Sequence, residues 1–315
     1  MKDSVSCREA FTDELLNIAK KDRDIIAISS DARGSTALTK FTETLPNQFI
    51  EVGIAEQNEI GIASGMASVG KKPYVCAPAC FLSARSLEQI KVDVCYSNQN
   101  VKIFGVSGGV SYGALGFSHH SLHDIAVFRT FPNIRIILPC DGNQTIAMLN
   151  EIKNDNIPTY IRVGRNKVPQ IYDNNDSFSI NKANILKHGN DVAIIACGEM
   201  VYYALLAAKE LEKDNIYAMV IDMHTLKPLD EEILYKTIKE AKVIITVEEH
   251  SLSGGLGAAV SQYVSKTKPM FVSNLGFPDE FLKTGESKEI FNYYKLDDKG
   301  IYNKAKSLLS RFKSF

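Results

Sequence analysis

The sequence predicts an α/β protein with two domains, each built on a mainly parallel sheet. Short apolar runs of strand type alternate with longer segments of helical periodicity, a pattern typical of α/β folds. A polar, asparagine-rich stretch without periodicity spans residues 173–182. At 315 residues the chain is long enough for two hydrophobic cores. We therefore predict one domain over residues 1–172, a linker over 173–182 and a smaller domain over 183–315.

The composition excludes several classes of function. The formal net charge is −1, so bulk electrostatics gives no reason to expect a nucleic-acid or membrane partner. No apolar run reaches membrane-spanning length, and the first residues lack the apolar core of a signal peptide. The six cysteines form no CxxC pair, and several lie in apolar runs, which predicts reduced thiols and a cytoplasmic protein. Pairing or metal binding by Cys76 and Cys80 is the alternative.

The elements of both domains follow from periodicity in chain order. The first helix is predicted between Ser6 and Lys20, where apolar residues recur at helical spacing. Apolar runs predict strands in the first domain at 25–28, 50–52, 72–78, 101–106, 134–138 and 158–163. In the second domain they predict strands at 192–196, 217–221 and 243–247, with helices at 201–211, 231–241 and 256–264.

A polar loop follows the first strand, at residues 29–35. Loops after the strands of a parallel sheet face the cleft where α/β proteins bind ligands. The loop as a whole is therefore a candidate for ligand contacts. For Asp31, a purely local role as a loop or capping residue is the alternative.

A glutamate begins the helix that follows the second strand. Residues 50–52 lead through a turn at Gly53 to Glu56, and the helical run ends at Gly70. This position points the Glu56 carboxylate toward the same cleft. A carboxylate at a helix N-terminus also interacts favourably with the helix dipole, so capping alone is the alternative.

The next two strands are followed by aromatic, basic and imidazole side chains. Phe81 could stack on a planar ring, although a lone phenylalanine is also a common core residue. The loop after the strand at 101–106 contains four glycines and then His119, His120 and His123, which suggests close approach to a ligand. A metal site of the three histidines is the alternative, but no further set of ligands at suitable spacing supports it.

Two further segments are candidates for phosphate or nucleotide contacts. Arg165 follows the strand at 158–163, and its guanidinium suits bidentate binding of a phosphate; a surface salt bridge is the alternative. Residues 248–257 contain several glycines between a strand and a helix. They match neither the dinucleotide nor the P-loop pattern, so we interpret them as structural.

The segment GIAEQN at residues 53–58 resembles the signature of the transketolase family of thiamine diphosphate enzymes. The resemblance runs in the family's order from about Ser29 to the C-terminus. It implies a thiamine-diphosphate-binding domain of the pyrimidine type, built on a parallel sheet, followed by a smaller α/β transketolase C-terminal domain. The implied contacts with the cofactor are those of Asp31, Glu56, Phe81 and Arg85. The implied contacts with a sugar phosphate are those of Ser35, His119 and Arg165.

The resemblance also implies a division of labour between subunits. Glu56 and His119 would be catalytic, with Glu56 sharing a proton with the pyrimidine ring. The family's metal-binding G-D-G…N segment is absent, since Asp141–Gly142 stands without the rest. The resemblance therefore assigns no metal ligand to this chain and implies that the diphosphate and Mg²⁺ are held by a separate N-terminal subunit. An α2β2 assembly, inactive without that subunit, is the expected arrangement.

The expected activity is transfer of a two-carbon ketol unit between sugar phosphates. Ser107 stands where the family has a histidine, and Leu115 where it has a substrate-binding acid, so an unusual or branched sugar phosphate is expected. One alternative is the beta subunit of a 2-oxo-acid dehydrogenase, which shares the two domains. Another is a non-catalytic scaffold subunit, although a scaffold has no need of Glu56, Asp31, Phe81 and His119 together.

Overall fold

The computed structural model describes residues 4–173, 176 and 178–313. Three positions of the predicted linker, 174, 175 and 177, lie outside the described residues. The strands are β1 (Ser4–Ser6), β2 (Ile25–Ser29), β3 (Phe49–Glu51), β4 (Lys72–Pro78), β5 (Lys102–Val106), β6 (Arg135–Ile137), β7 (Thr159–Val163), β8 (Lys167–Pro169), β9 (Asn184–Lys187), β10 (Val192–Ala196), β11 (Ala218–Asp222), β12 (Thr225–Lys227), β13 (Val243–Ser251) and β14 (Val272–Phe277).

The helices alternate with these strands along the chain. They are α1 (Cys7–Ala19), α2 (Thr39–Thr44), α3 (Glu56–Ser68), α4 (Ala79–Arg85), α5 (Leu87–Gln89), α6 (Asp124–Arg129), α7 (Gly142–Ile152), α8 (Met200–Lys213), α9 (Glu231–Glu240), α10 (Leu256–Thr267), α11 (Ser287–Tyr293) and α12 (Asp298–Lys313). A π-helical turn, Ile90–Tyr96, continues α5, and short 3₁₀ turns occur at Gly113–Leu115 and Phe117–His119. The predicted α/β class is confirmed.

The larger sheet contains seven of the described strands, in the order β12-β6-β7-β5-β4-β2-β3. All neighbours in it are parallel except β12, which pairs antiparallel with β6. Strands β2, β4, β5 and β7 are almost wholly buried, which explains why they read as continuous apolar runs. Strand β12 comes from the second half of the sequence, so the two halves share this sheet. The sequence did not predict that a strand from the second half would join the sheet of the first.

The smaller sheet contains five of the described strands, in the order β14-β13-β10-β11-β9. Only β9 is antiparallel to its neighbour. Helix α8 buries alanine and leucine side chains against this sheet, and α12 packs beside α8. The six cysteines are buried and free, and no disulfide joins them.

The order of strands decides where ligand-binding loops meet. Strands β3, β2, β4, β5 and β7 are successive neighbours in the larger sheet and run in the same direction. The loops after them therefore converge at one edge of the sheet, where α/β proteins bind ligands. Among the described residues, no helix is long and apolar enough to cross a membrane.

Candidate active site

One cleft at this edge brings together all seven residues predicted to form the site. It has a volume of about 520 Å³ and also includes Ile54, Tyr112 and Leu115 in its lining. The predicted residues in its lining are Asp31, Ser35, Glu56, Phe81, Arg85, His119 and Arg165. They come from loops that are far apart in sequence and meet only because their strands are neighbours in the sheet.

Glu56 is the buried acid of the cleft. It is the first residue of α3, and its side chain is only 4% exposed. Its Oε1 accepts a hydrogen bond from Nη1 of Arg85 at 2.7 Å, and the same guanidinium lies 4.2 Å from the centre of the Phe81 ring. A flat cation thus lies against the aromatic face and the carboxylate at once. The pair Glu56 and Phe81 is suited to a planar, protonatable ring.

Asp31 lies at the rim of the same cleft with an unusual backbone conformation. Its φ is 54°, in the left-handed region, where aspartate is tolerated better than most residues. The backbone N–H of Asp31 donates to Oε1 of Glu51 at 2.6 Å, and Gly53 N–H donates to the same oxygen at 3.0 Å. Glu51 therefore ties the loop after β2 to the turn before Glu56.

Only one of the three loop histidines faces the cleft. His119 contacts the edges of Phe81 and Tyr112, with ring centres 5.3 and 5.6 Å apart, and its Nδ1 is 3.0 Å from Oγ of Ser118. The ring of His120 is buried beside the carbonyl of Gly113, and Nε2 of His123 is 3.1 Å from Oγ of Ser83. Within the described part of the chain, no group of three histidine, cysteine or acidic side chains could hold a metal ion.

A second arginine lies beside Arg165 and was not predicted. Arg8, in the first turn of α1, donates from Nη1 to the carbonyl of Ser35 at 2.7 Å. Burial, and then the nearby charge of Arg165, lower the pKa of Arg8. The Arg165 guanidinium also lies 4.8 Å from the centre of the Tyr112 ring. Two cations held close together form a site suited to a phosphate group.

The sequence contained one signal for Arg8. A cation in the first turn of a helix is opposed by the helix dipole, so its position needs a reason outside the helix. The signal is weak, since Arg8 and Arg165 lie near opposite ends of the first domain and no local pattern connects them. The fold places them together because α1 begins directly after β1, which pairs with β8 next to Arg165.

The glycines of the loop after β5 lie close to other parts of this protein, whereas the sequence suggested close approach to a ligand. A Cβ at Gly108 would lie 2.6 Å from Nε of Arg162, and one at Gly109 would overlap the Glu249 side chain. Gly113 lies against the backbone of Gly285, and Gly116 against Thr284. These neighbours belong to the protein, and three of them come from the second domain. The loop is therefore glycine-rich largely because it is covered by the second domain.

Ser107 and Leu115, the two departures noted in the sequence, occupy different surroundings. Ser107 is buried at φ 61°, and its Oγ has no hydrogen-bond partner among the described residues. Leu115 is 55% exposed and lies in the lining of the cleft. An apolar side chain there offers no hydrogen bond to a hydroxyl group, so Leu115 disfavours substrates that place one against it.

Glu59, one turn beyond Glu56, gives a prediction about stability. Burial raises its pKa to about 8, although Cys76 N–H donates to its Oε1 at 3.3 Å. Because the ordinary value is 4.5, the folded state binds more protons than the unfolded state between these values. Its contribution to stability is full below pH 4.5 and is lost as the pH rises to about 8. Glu59→Gln should remove this decline, on the order of 5 kcal/mol. Urea unfolding at several pH values measures it, and an unchanged decline in the variant would contradict the assignment.

The arrangement defines a class of protein: a parallel α/β domain whose cleft combines a buried carboxylate, an aromatic face and an arginine, with a second arginine beside it. Comparison with known proteins agrees. The transketolase pyrimidine-binding domain family matches residues 3–170, and the transketolase C-terminal domain family matches residues 181–301. The chain belongs to the transketolase family.

Individual relatives make the relationship more specific. One of the subunits of the apulose-4-phosphate transketolase of Phocaeicola vulgatus is 53% identical over 94% of this chain and 95% of its own length. A 1-deoxy-D-xylulose-5-phosphate synthase of Halothermothrix orenii is 34% identical over 98% of this chain but only 49% of the synthase. A split gene transketolase, solved as an inactive beta4 tetramer, is 33% identical with a TM-score of 0.88, over 98% of this chain and 99% of that one. The chain is thus homologous to single subunits of split transketolases.

Proposed function

We propose that this chain is the C-terminal subunit of a split, thiamine-diphosphate-dependent transketolase and transfers a two-carbon ketol unit between sugar phosphates. The observation that carries the proposal is the cleft itself. Its lining has a buried carboxylate beside an aromatic ring at one end, Glu56 and Phe81, and the guanidinium of Arg165 at the other. Arg8 lies outside this lining but close to it, since it donates to the Ser35 carbonyl and the charge of Arg165 lowers its pKa. A cofactor ring and a phosphorylated substrate would meet between the two ends, next to His119.

Each residue has a physical role in this proposal. Bound thiamine diphosphate supplies a nucleophilic carbon for breaking and forming the carbon–carbon bond. Glu56 shares a proton with the pyrimidine ring, Phe81 fixes the plane of that ring, and Arg85 orients the Glu56 carboxylate. Asp31 contributes a carboxylate at the rim of the ring site, on a loop that Glu51 fixes in position.

The remaining residues act on the substrate. Arg8 and Arg165 bind its phosphate group, and Ser35 offers a hydroxyl next to them, since its carbonyl is held by Arg8. His119 contacts the substrate oxygens and can act on them as a general acid or base. Its contacts with Phe81 and Tyr112 support a role at the junction of cofactor and substrate.

A partner subunit is required for the other half of the cofactor. Among the described residues, no three histidine, cysteine or acidic side chains lie together so that they could hold the Mg²⁺ that a diphosphate needs. Ile54, two residues before Glu56, is 74% exposed, and a Cβ added at Gly61 or Gly65 of α3 would meet no described atom outside the helix within 4 Å. An N-terminal subunit that covers this face would close the cleft and bring diphosphate and metal ligands. We propose an α2β2 assembly in the cytoplasm.

The first sugar phosphate to test is apulose 4-phosphate. The relative with 53% identity is a transketolase subunit for that substrate, and the match covers nearly the whole of both chains. Leu115 supports an unusual substrate, because the cleft offers an apolar surface where the family resemblance leads one to expect an acid.

Calorimetry with thiamine diphosphate and Mg²⁺ tests the proposal. We expect no detectable heat with this chain alone, because the metal-bound diphosphate supplies most of the binding energy and its ligands are on the partner. After mixing with the N-terminal subunit from the same organism, we expect a dissociation constant of about 1 μM to 100 μM.

Each outcome decides between the candidate functions. Binding in the mixture, followed by turnover of a sugar phosphate, supports the split transketolase. Binding with turnover of a 2-oxo acid instead would identify the dehydrogenase subunit. Tight binding by the lone chain would contradict the two-subunit proposal, and no binding in either sample would favour a scaffold.

A further inference from the structure

Two glutamates of the second domain lie directly under the substrate-binding loops of the first. Glu249, on β13, is 6% exposed, and its Oε1 accepts the backbone N–H of Val110 at 2.7 Å. Glu199 immediately precedes α8, and its carboxylate lies against Gly164, where any Cβ would overlap it. Gly164 is the residue before Arg165, and Val110 begins the segment that leads to Tyr112 and His119.

The backbone at both contacts is built around these carboxylates. Gly109, next to Val110, has φ +62°, and a side chain there would also overlap Glu249. The Gly109 segment is held on its other side by hydrogen bonds to Ser121, at 3.1 and 2.8 Å. Each glutamate therefore fills a space that a glycine leaves open, and each supports a backbone segment one or a few residues from a substrate-binding side chain.

The charges around the two glutamates do not balance. Arg162 is the cation that faces both of them, but its Nε donates to Oδ2 of Asp124 at 2.8 Å. Its Nη2 donates to the backbone carbonyls of Ser121 and Glu249, at 3.1 and 2.8 Å. Asp124 thus takes up the charge of Arg162. Oε1 of Glu199 is buried without a hydrogen-bond partner among the described residues.

Burying two ionised carboxylates that have no cation of their own costs desolvation free energy. Burial, and then the charge of Glu249, raise the pKa of Glu199. Burial also raises the pKa of Glu249, although Arg162 and the Val110 N–H oppose the increase. One of the two carboxyl groups is therefore protonated near neutral pH, and raising the pH removes that proton.

We propose that Glu199 and Glu249 are positioning residues, which hold Gly164–Arg165 and the loop that carries His119 in their substrate-binding positions while one of the two carboxyl groups is protonated. The roles of Arg165 and His119 in this statement rest on the proposed function. Loss of that proton would leave both carboxylates negatively charged under these segments. Their repulsion, and their need for water, would loosen both segments and weaken phosphate binding.

The other groups around the pair do not produce the same response. The nearby thiols and phenols have pKa values raised by burial and stay neutral: Cys7, Cys197, Tyr160 and Tyr203. Burial lowers the pKa of His250 to about 4, so this imidazole is neutral as well. His123, beside Asp124, bonds with Ser83. Burial also raises the pKa of Glu248 to about 7, but its carboxylate accepts the N–H groups of Leu256 and Gly257, so its titration acts on the start of α10 and not on the two loops.

Hydrogen exchange of the full-length chain, followed by mass spectrometry from about pH 6 to about pH 9, tests the proposal. Protection factors, corrected for the intrinsic effect of pH on exchange, are compared for peptides that cover residues 107–112 and 163–166. In the wild type we expect protection to fall about tenfold across this range. Glu199→Gln and Glu249→Gln should each show a clearly smaller fall, because the remaining carboxylate has no second carboxylate to repel it, although its burial still raises its pKa.

Two further variants separate positioning from general stability. In Glu249→Ala the protection factor of the Val110 amide should be about tenfold lower than in the wild type at every pH, because the hydrogen bond to the Glu249 carboxylate is gone. Glu210→Gln, a surface acid paired with Lys213, is the control and should match the wild type. If Glu249→Ala fails to fold, the pH dependence of protection in Glu199→Gln and Glu249→Gln decides the test.

Sulfate binding connects the loops to the substrate site. Sulfate keeps its charge throughout this pH range and is the probe for the Arg8–Arg165 pair. Its affinity for the wild type should fall with rising pH in parallel with the protection, and should fall clearly less in Glu199→Gln. A wild type whose protection does not change with pH, or a Glu199→Gln variant that shows the same decline, would overturn the proposal. Failure of the transketolase assay with intact exchange results would instead count against the proposed function alone.

Discussion

Replacing Glu56 by glutamine is expected to lower kcat of the assembled enzyme by about 10²–10⁴-fold and to leave the fold intact. The amide has nearly the same shape as the carboxyl group and still accepts a hydrogen bond from Arg85, which is bonded to Oε1 at 2.7 Å in the wild type. It cannot take up a proton, however, and proton sharing with the cofactor ring is the role proposed for Glu56. The loss should therefore appear in the chemical step and only slightly in the assembly of the subunits.

Three measurements separate this effect from others. kcat is measured for the mixture of both subunits, cofactor affinity by calorimetry and stability by thermal unfolding. Glu88→Gln is a matched control, because Glu88 is an exposed acid close in sequence to Arg85 whose carboxylate bonds only with neighbouring Gln89 in the described structure. A Glu56→Gln enzyme with kcat near the wild-type value would contradict the catalytic role. A loss of cofactor binding without a change in kcat at saturation would reduce Glu56 to a binding residue.

The sequence predicted those parts of the fold that depend on local pattern. The strands now defined as Ile25–Ser29, Lys102–Val106 and Val192–Ala196 were visible because buried parallel strands are continuous apolar runs. Their loops then had to converge, since neighbouring parallel strands end at the same edge of a sheet. For this reason residues as distant as Asp31 and Arg165 could be assigned to one cleft.

Features that depend on contacts between distant segments could not be predicted in this way. Strand β12 has only three residues, too few for any periodicity, and joins the larger sheet through two paired positions next to β6. Arg8 shares a binding site with Arg165 only because of the register between β1 and β8. Glu249 was assigned a structural role in its own domain, whereas its carboxylate crosses to Val110 of the other domain. The glycines opposite Glu249 were a correct sign of close approach, but the approaching group was a side chain of this protein.

Removing either guanidinium of the Arg8–Arg165 pair is expected to raise KM for a phosphorylated substrate by about 100-fold, with a much smaller change in kcat. The phosphate is held equally in the ground state and the transition state, so its loss is a loss of uniform binding. Arg8→Lys and Arg165→Lys should lie between the wild type and the alanine variants, because an ammonium keeps the charge but loses the bidentate geometry.

The wild-type pair also predicts an effect on the chain without substrate. Burial and the charge of Arg165 lower the pKa of Arg8, so each cation is unfavourable for the other until an anion lies between them. Arg165→Ala should consequently leave thermal stability unchanged or slightly higher, whereas an arginine that only served a structural ion pair would lower stability when removed.

The phosphate itself provides the decisive comparison. The assembled enzyme is assayed with a phosphorylated sugar and with the same sugar without its phosphate, in the wild type, Arg8→Ala, Arg165→Ala and Arg33→Ala. Arg33 is an exposed arginine on the loop after β2 and outside the cleft lining, so it controls for general electrostatic attraction. The preference for the phosphorylated sugar should collapse in the first two variants and persist in Arg33→Ala. Equal losses for both sugars would show that the arginines support the cleft without binding the phosphate.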